Sequence, residues 1–109
     1  DLYIAPMDAE ALPKAMQLAQ AVRQSGYQAE YDLMHRGLKA QMKYANKIKA
    51  TFVLVLGGNE LEQQAAKLKH METGEQISIP LDDRFPEAFD TIAISHMFEN
   101  TLQDMEENA

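Results

Sequence analysis

The run FVLVL, Phe52 to Leu56, restricts the fold of this chain more than any other feature. It is apolar and β-branched without a polar alternation, so it reads as a strand with both faces covered rather than one face in water. Cover on both faces requires a layer on each side of the sheet, and parallel strands obtain those layers from helical crossovers. The sequence before the run offers two such units. LYIAPM (Leu2 to Met7) is a short run of strand formers ending near a proline, and Asp8 is placed to cap a helix after it. Pro13 is tolerated in that helix only in or near the first turn. From Leu12 the apolar residues Ala15, Met16, Ala19 and Val22 recur with helical spacing, and Gly26 supplies the stop. In YQAEYDL, Tyr27, Ala29, Tyr31 and Leu33 alternate with polar residues, the pattern of a half-buried strand. Gly37 breaks that run, and a second helix is predicted from Leu38 to about Lys49.

Beyond the apolar strand, AAKLKHMETGEQISIPL reads as a hairpin turning near Thr73 and Gly74, with Gly74 available for a positive φ. A last helix, from Phe85 to about Met105, carries Ile92, Met97, Phe98, Leu102 and Met105 as its predicted apolar stripe. The order β-α-β-α-β-β-β-α implies an α/β fold with right-handed crossovers. The expectation is a three-layer domain with a mixed five-stranded sheet and about three helices. Residues 1–81 form the α/β body, and residues 82–109 add an acidic helix and tail packed on the same domain. Met16, Met34 and Met42 are expected as core filler, and Tyr44 as a packing residue.

At 109 residues the chain has room for one core. It has no cysteine, which excludes disulfides, thiolate metal sites and a thiol nucleophile. Its longest apolar run is far too short to span a bilayer. It opens at Asp1 without a methionine, as a piece of a longer protein would. The net charge of -7 is unevenly placed: residues 1–81 balance to zero, and residues 82–109 hold eight acids against Arg84. Body and tail therefore have to be argued separately.

Within that neutral body, His35 to Asn59 contains five cations and no carboxylate. Lys39, Lys43 and Lys47 stand at i, i+4 and i+8, about 40° apart per step on a helix, while Leu38, Met42 and Ala45 fall on another face. Such like-charged neighbours cost an isolated helix about a few tenths of a kcal/mol per pair. A phosphate backbone laid along them relieves the repulsion and releases counterions. A solvated lysine face is the plainer reading of the stripe alone. Two features favour a ligand surface: interleaved acids are missing, and the segment leads into a strand ending at Gly57-Gly58, where α/β sheets bind ligands. Chemistry is poorly supported. There is no G-x-G-x-x-G, Walker loop or nucleophile elbow. His70 and His96 lack any partner at metal-ligand spacing, so no metal is expected.

The same residues resemble a known family. Arg36, Leu38-Lys39-Ala40-Gln41, Lys43-Tyr44-Ala45, the strand to Leu56, the loop Gly57 to Leu61 and the turn Thr73 to Gln76 follow, in order, a recurring pattern. It is that of the anticodon-binding domain of class II aminoacyl-tRNA synthetases, with the histidyl enzymes nearest. The likeness runs from about Leu2 to Leu81; the tail departs from it, as does Gly58, where the family usually has an acid. The resemblance implies a domain that grips the anticodon stem-loop of tRNA. It places His35 and Arg36 in the turn facing the anticodon, Lys39 and Lys43 on phosphates, Glu60 as acceptor for a base amino group, and Lys69 on a base or phosphate. It implies no catalytic residue and no cofactor in this chain. ATP, Mg and aminoacylation belong to the catalytic domain of a homodimeric, cytoplasmic parent. Two other readings stand beside it. One is a synthetase-like regulatory or protein-interaction domain that charges no tRNA, and the other a small-molecule domain using the Gly-Gly loop.

Overall fold

The structure, a computed structural model, describes residues 1–34 and 36–107, without the side chains of residues 99–104, 106 and 107. The strands are β1 (Leu2–Pro6), β2 (Ala29–Tyr31), β3 (Phe52–Leu56), β4 (Ala65–His70) and β5 (Gln76–Pro80). The helices are α1 (Leu12–Gln24), α2 (Leu38–Lys47), the short α3 (Gly58–Gln63) and the long α4 (Phe85–Glu107). They form one five-stranded sheet in the order β2-β1-β3-β4-β5. β1 pairs parallel with β2 and β3, while β4 and β5 add antiparallel strands at one edge. The mixed α/β sheet inferred from FVLVL is therefore present.

Local chemistry fixes the joints. Asp8 accepts a bond from the Ala11 amide at 3.0 Å and caps a single 3-10 turn, Ala9–Ala11, that leads into α1. Pro13 sits in the first turn of α1, where its missing N–H costs nothing. Gly26 and Gly74 adopt φ of 97° and 78°, a region in which a Cβ is strained.

Because β1 connects to β2 on one side and β2 crosses back over β1 to β3, α1 and α2 lie on opposite faces of the sheet. The larger core joins Leu2, Ile4, Leu54, Leu56 and Leu68 with α1 and with Phe85, Phe89 and Ala93 of α4. The smaller one joins Tyr3, Ala5, Val53 and Ala50 with Ala45 of α2. α2 thus covers β1 and leaves the same face of β4 and β5 bare.

Several packing expectations are corrected. Leu38 is 45% exposed, and the buried line of α2 is Gln41 and Ala45. Gln41 is drawn inward because its Nε2 donates to the carbonyls of Pro6 and Arg36, at 3.2 and 2.7 Å. Met16 and Met34 are exposed, and only Met42 packs against a core. In β2 the alternation fails after Tyr31: Leu33 is exposed and Asp32 buried. In α4 the buried stripe is Phe85, Phe89 and Ala93, flanked by Ile92, whereas Met97, Phe98 and Met105 are exposed. The Leu102 side chain lies outside the described residues. The buried positions of α4 among the described side chains thus fall in its first half.

Candidate nucleic-acid interface

The bare sheet face is set by strand alternation. Across β3, β4 and β5 the register pairs Val53 with Lys69 and Lys69 with Gln76, and it pairs Lys67 with Ser78. Ala66, Leu68 and His70 point to the α1–α4 side, so Lys67 and Lys69 point to the side left open beside α2. The floor of this surface is thus two lysines, Gln76 and Ser78, with half-buried Val55, Met42 and Met71 from the rim of the smaller core. Aliphatic area next to ammonium groups suits bases that stack and phosphates that pair.

The carboxyl ends of the parallel strands form one border of that floor. After β3, Gly57 is the N-cap of α3, and Glu60 sits at its third position. The Glu60 Oε2 accepts from the Gly57 amide at 3.0 Å. A Cβ at Gly57 would stand 3.1 Å from the Glu60 Oε2, so the carboxylate would have to shift by a few tenths of an ångström to admit it. Glu60 is therefore a helix cap in addition to any other role. It also shares a cleft of about 150 Å³ with Asn59, Gln63, Lys67 and Ser78.

After β2, Asp32 is buried and organises the turn. Its oxygens accept from the Arg36 amide at 2.9 Å, the Arg36 Nε at 2.9 Å and the Met34 amide at 3.3 Å. Burial pushes the Asp32 carboxyl up, yet these bonds outweigh it and hold the group below the usual aspartate range. The Arg36 guanidinium lies over the Tyr44 ring, 4.9 Å from its centroid, and Tyr44 packs on Tyr3. Arg36 is thus the one cation of the basic segment with an acidic partner among the described residues. Tyr44 is packing, as expected.

The structure does not bring all six predicted site residues together. Lys67 and Lys69 share the floor, and Glu60 and Arg36 stand at the same end of the sheet. Lys39 and Lys43 are exposed, but each is two residues, about 200° of rotation, from buried Gln41 or Ala45. They form an outer ridge on α2 with Lys47, pointing away from the sheet. His35 lies outside the described residues. Lys67 was missed in the sequence, although the alternation Lys67-Leu68-Lys69 placed it beside Lys69. The acidic helix α4 packs on α1 and β5, on the far side of the sheet from Lys67 and Lys69.

Residues 1–88 match the family model described as the anticodon binding domain. The chain belongs to the anticodon-binding domain family. The histidine–tRNA ligase of Clostridium kluyveri is 48% identical over 83 residues, which are 76% of this chain and 20% of that protein. The corresponding ligase of Geobacillus kaustophilus is 41% identical over 83 residues, again 76% of this chain and 20% of its own. In three dimensions the chain is similar to apo S. aureus histidyl-tRNA synthetase, with a TM-score of 0.75 at 38% identity. That match covers 80% of this chain and 25% of the synthetase. The RNA-binding domain of Cryptosporidium parvum threonyl-tRNA synthetase matches with a TM-score of 0.71 at 14% identity, over 83% of this chain and 23% of its own, which shows the shared fold. This anticodon-binding domain therefore spans about a fifth of the length of the curated relatives it matches.

Proposed function

We infer that this anticodon-binding domain recognises the anticodon loop of tRNA, of the histidine acceptor in particular, as the C-terminal domain of a histidyl-tRNA synthetase. The observation that carries the reading is the bare β4–β5 face with Lys67 and Lys69, on the opposite side of the sheet from acidic α4. The similarity to histidine–tRNA ligases supplies the tRNA. Loop bases expose edges and faces that a stem hides, and this floor offers both aliphatic surface and cations to them. Lys67 and Lys69 contact bases or phosphates on the floor. Lys39 and Lys43 hold phosphates along the outer ridge, which positions the loop without reading it. One Glu60 oxygen caps Gly57, and the carboxylate keeps lone pairs for a base amino group. Arg36 flanks the loop at the end of the sheet, and His35 is assigned to the same contact by the family resemblance alone. Aminoacylation with ATP and Mg falls to the catalytic domain of a cytoplasmic, homodimeric parent. Among the described residues no helix is long and apolar enough to cross a membrane.

Fluorescence titration with the histidine anticodon stem-loop at several salt concentrations tests this. Binding with a log–log slope of about three to five ions is expected for a handful of phosphate contacts. Equal affinity for the bare stem closed by an unrelated loop, or no binding at low salt, contradicts it. A protein-interaction domain without tRNA charging would then be the better reading.

A further inference from the structure

The fold unites two histidines that the sequence separates by 26 positions. His70 ends β4 and is 4% exposed; His96 comes from α4 and is half-buried. Their Nε2 atoms are 2.7 Å apart. The His70 Nδ1 accepts from the Thr73 amide at 3.2 Å and meets the Thr73 Oγ1 at 2.9 Å. Since a backbone amide only donates, this network assigns the proton of neutral His70 to Nε2, from where it is donated to the His96 Nε2. One proton then bridges two imidazole nitrogens. Glu72, in the exposed turn between β4 and β5, brings a carboxylate oxygen to the same place, and one donor atom from each of the three residues lies within 4.8 Å of the others.

We propose that His70, His96 and Glu72 form a binding site for a borderline divalent transition metal, zinc above all, that ties the β4–β5 turn to α4. Two imidazoles and one carboxylate are a donor set that zinc accepts, with a fourth position left for water. Calcium and magnesium prefer oxygen donors and fit it poorly. Zinc would replace the shared proton. Two nitrogens on a tetrahedral zinc stand about 3.3 Å apart, so the rings have to separate by about 0.6 Å. Phe52 lies edge-on to both rings, 5.3 Å from His70 and 5.9 Å from His96, so the separation is a small rotation of the two imidazoles against a shared wall. An adjoining cleft of about 260 Å³, lined by Phe52, Glu75, Ile77, Thr91, Ile92 and Ser95 besides the histidines, gives the metal an approach and a partly apolar wall. His96 lies beyond residue 88, where the family match ends, so the site is a property of this chain's tail joined to its body.

Metal ligation requires a lone pair on the His70 Nε2, hence the other tautomer, with Nδ1–H donated to the Thr73 hydroxyl. That switch gives the test a signature. Zinc chloride is titrated calorimetrically into the 109-residue chain, and the imidazole nitrogens are followed by NMR. The expected result is one zinc per chain, with His70 changing from the Nε2–H to the Nδ1–H form as zinc saturates. The variant His96→Gln keeps an acceptor for His70 but loses the imidazole ligand, and its affinity should fall by more than about tenfold. Glu10→Gln, which alters an exposed carboxylate in the 3-10 turn before α1, should bind as the parent does. No saturable binding in large excess of zinc, an unchanged His70 tautomer at saturation, or a His96→Gln protein that binds undiminished would overturn the proposal.

Discussion

Asp32 holds the β2–α2 turn through three bonds, two of them from Arg36, while its own side chain is almost wholly buried. Replacing Arg36 with Ala leaves that carboxylate with amide donors alone. We expect a lower midpoint in a urea melt, because a buried acceptor loses its charged partner. Because the folded carboxyl titrates below its unfolded value of about 3.9, its contribution is complete above that pH. It is lost as pH falls through the folded value. Acid unfolding of the parent should therefore be steeper below about pH 4 than that of Asp32→Asn, which lacks the titrating group. Glu60 makes a smaller and separable contribution. Glu60→Ala removes the cap on Gly57 and should cost about 1 kcal/mol, whereas Glu60→Gln keeps an acceptor and most of the stability. If Glu60 also reads a base, Glu60→Gln alters discrimination among anticodon variants more than total affinity, which competition binding measures. None of these pairings was visible in composition. The stretch around Arg36 contains no acid after His35, and its partner is four residues back, across a turn whose shape the sequence does not announce.

Long elements were legible and short ones were not. FVLVL, the α1 spacing and the hairpin at Gly74 carry a period or a turn residue strong enough to place them. The 3-10 turn after Asp8 and the six-residue α3 are too short to show any period, so Gly57-Gly58 read as a loop when Gly58 opens a helix. α2 was placed correctly but rotated, because an apolar pattern credits Leu38 and cannot foresee that Gln41 satisfies two carbonyls inside the fold. Of the α4 stripe, Ile92 packs against the core while Met97, Phe98 and Met105 are exposed; the first half of the helix is anchored by Phe85, Phe89 and a bond from the Tyr27 hydroxyl to Asp90. That bond, with burial, pushes the Tyr27 hydroxyl up to about 12. A raised phenol contributes stability that is complete below about pH 10 and is lost as pH climbs through about 12. Tyr27→Phe should lower stability at pH 7 by about 1 kcal/mol and flatten the alkaline limb of a thermal melt between those values.

At the scale of the whole sheet, the lysines of β4 and the helix α4 lie on opposite faces. α4 is packed with α1 behind the sheet, while Lys67 and Lys69 occupy the open front and Lys39, Lys43 and Lys47 the outer ridge of α2. An acidic net charge of -7 is therefore compatible with an anionic ligand, as the separate balance of body and tail already indicated. What the sequence could not show was that the lysine stripe and the sheet lysines form two surfaces rather than one. They should be separable in solution. Lys67→Ala with Lys69→Ala should weaken stem-loop binding and lower its salt slope by about two. Lys39→Ala with Lys43→Ala should lower the slope similarly while leaving loop discrimination intact.

The most direct test of the central claim is an amide NMR map of the 109-residue chain as the histidine anticodon stem-loop is added. The largest shifts are expected on Val55, Lys67, Lys69, Gln76 and Ser78, followed by Glu60, with Ala19, Val22 and Phe89 unmoved. Shifts concentrated on α1 and α4, with β4 and β5 silent, would contradict it.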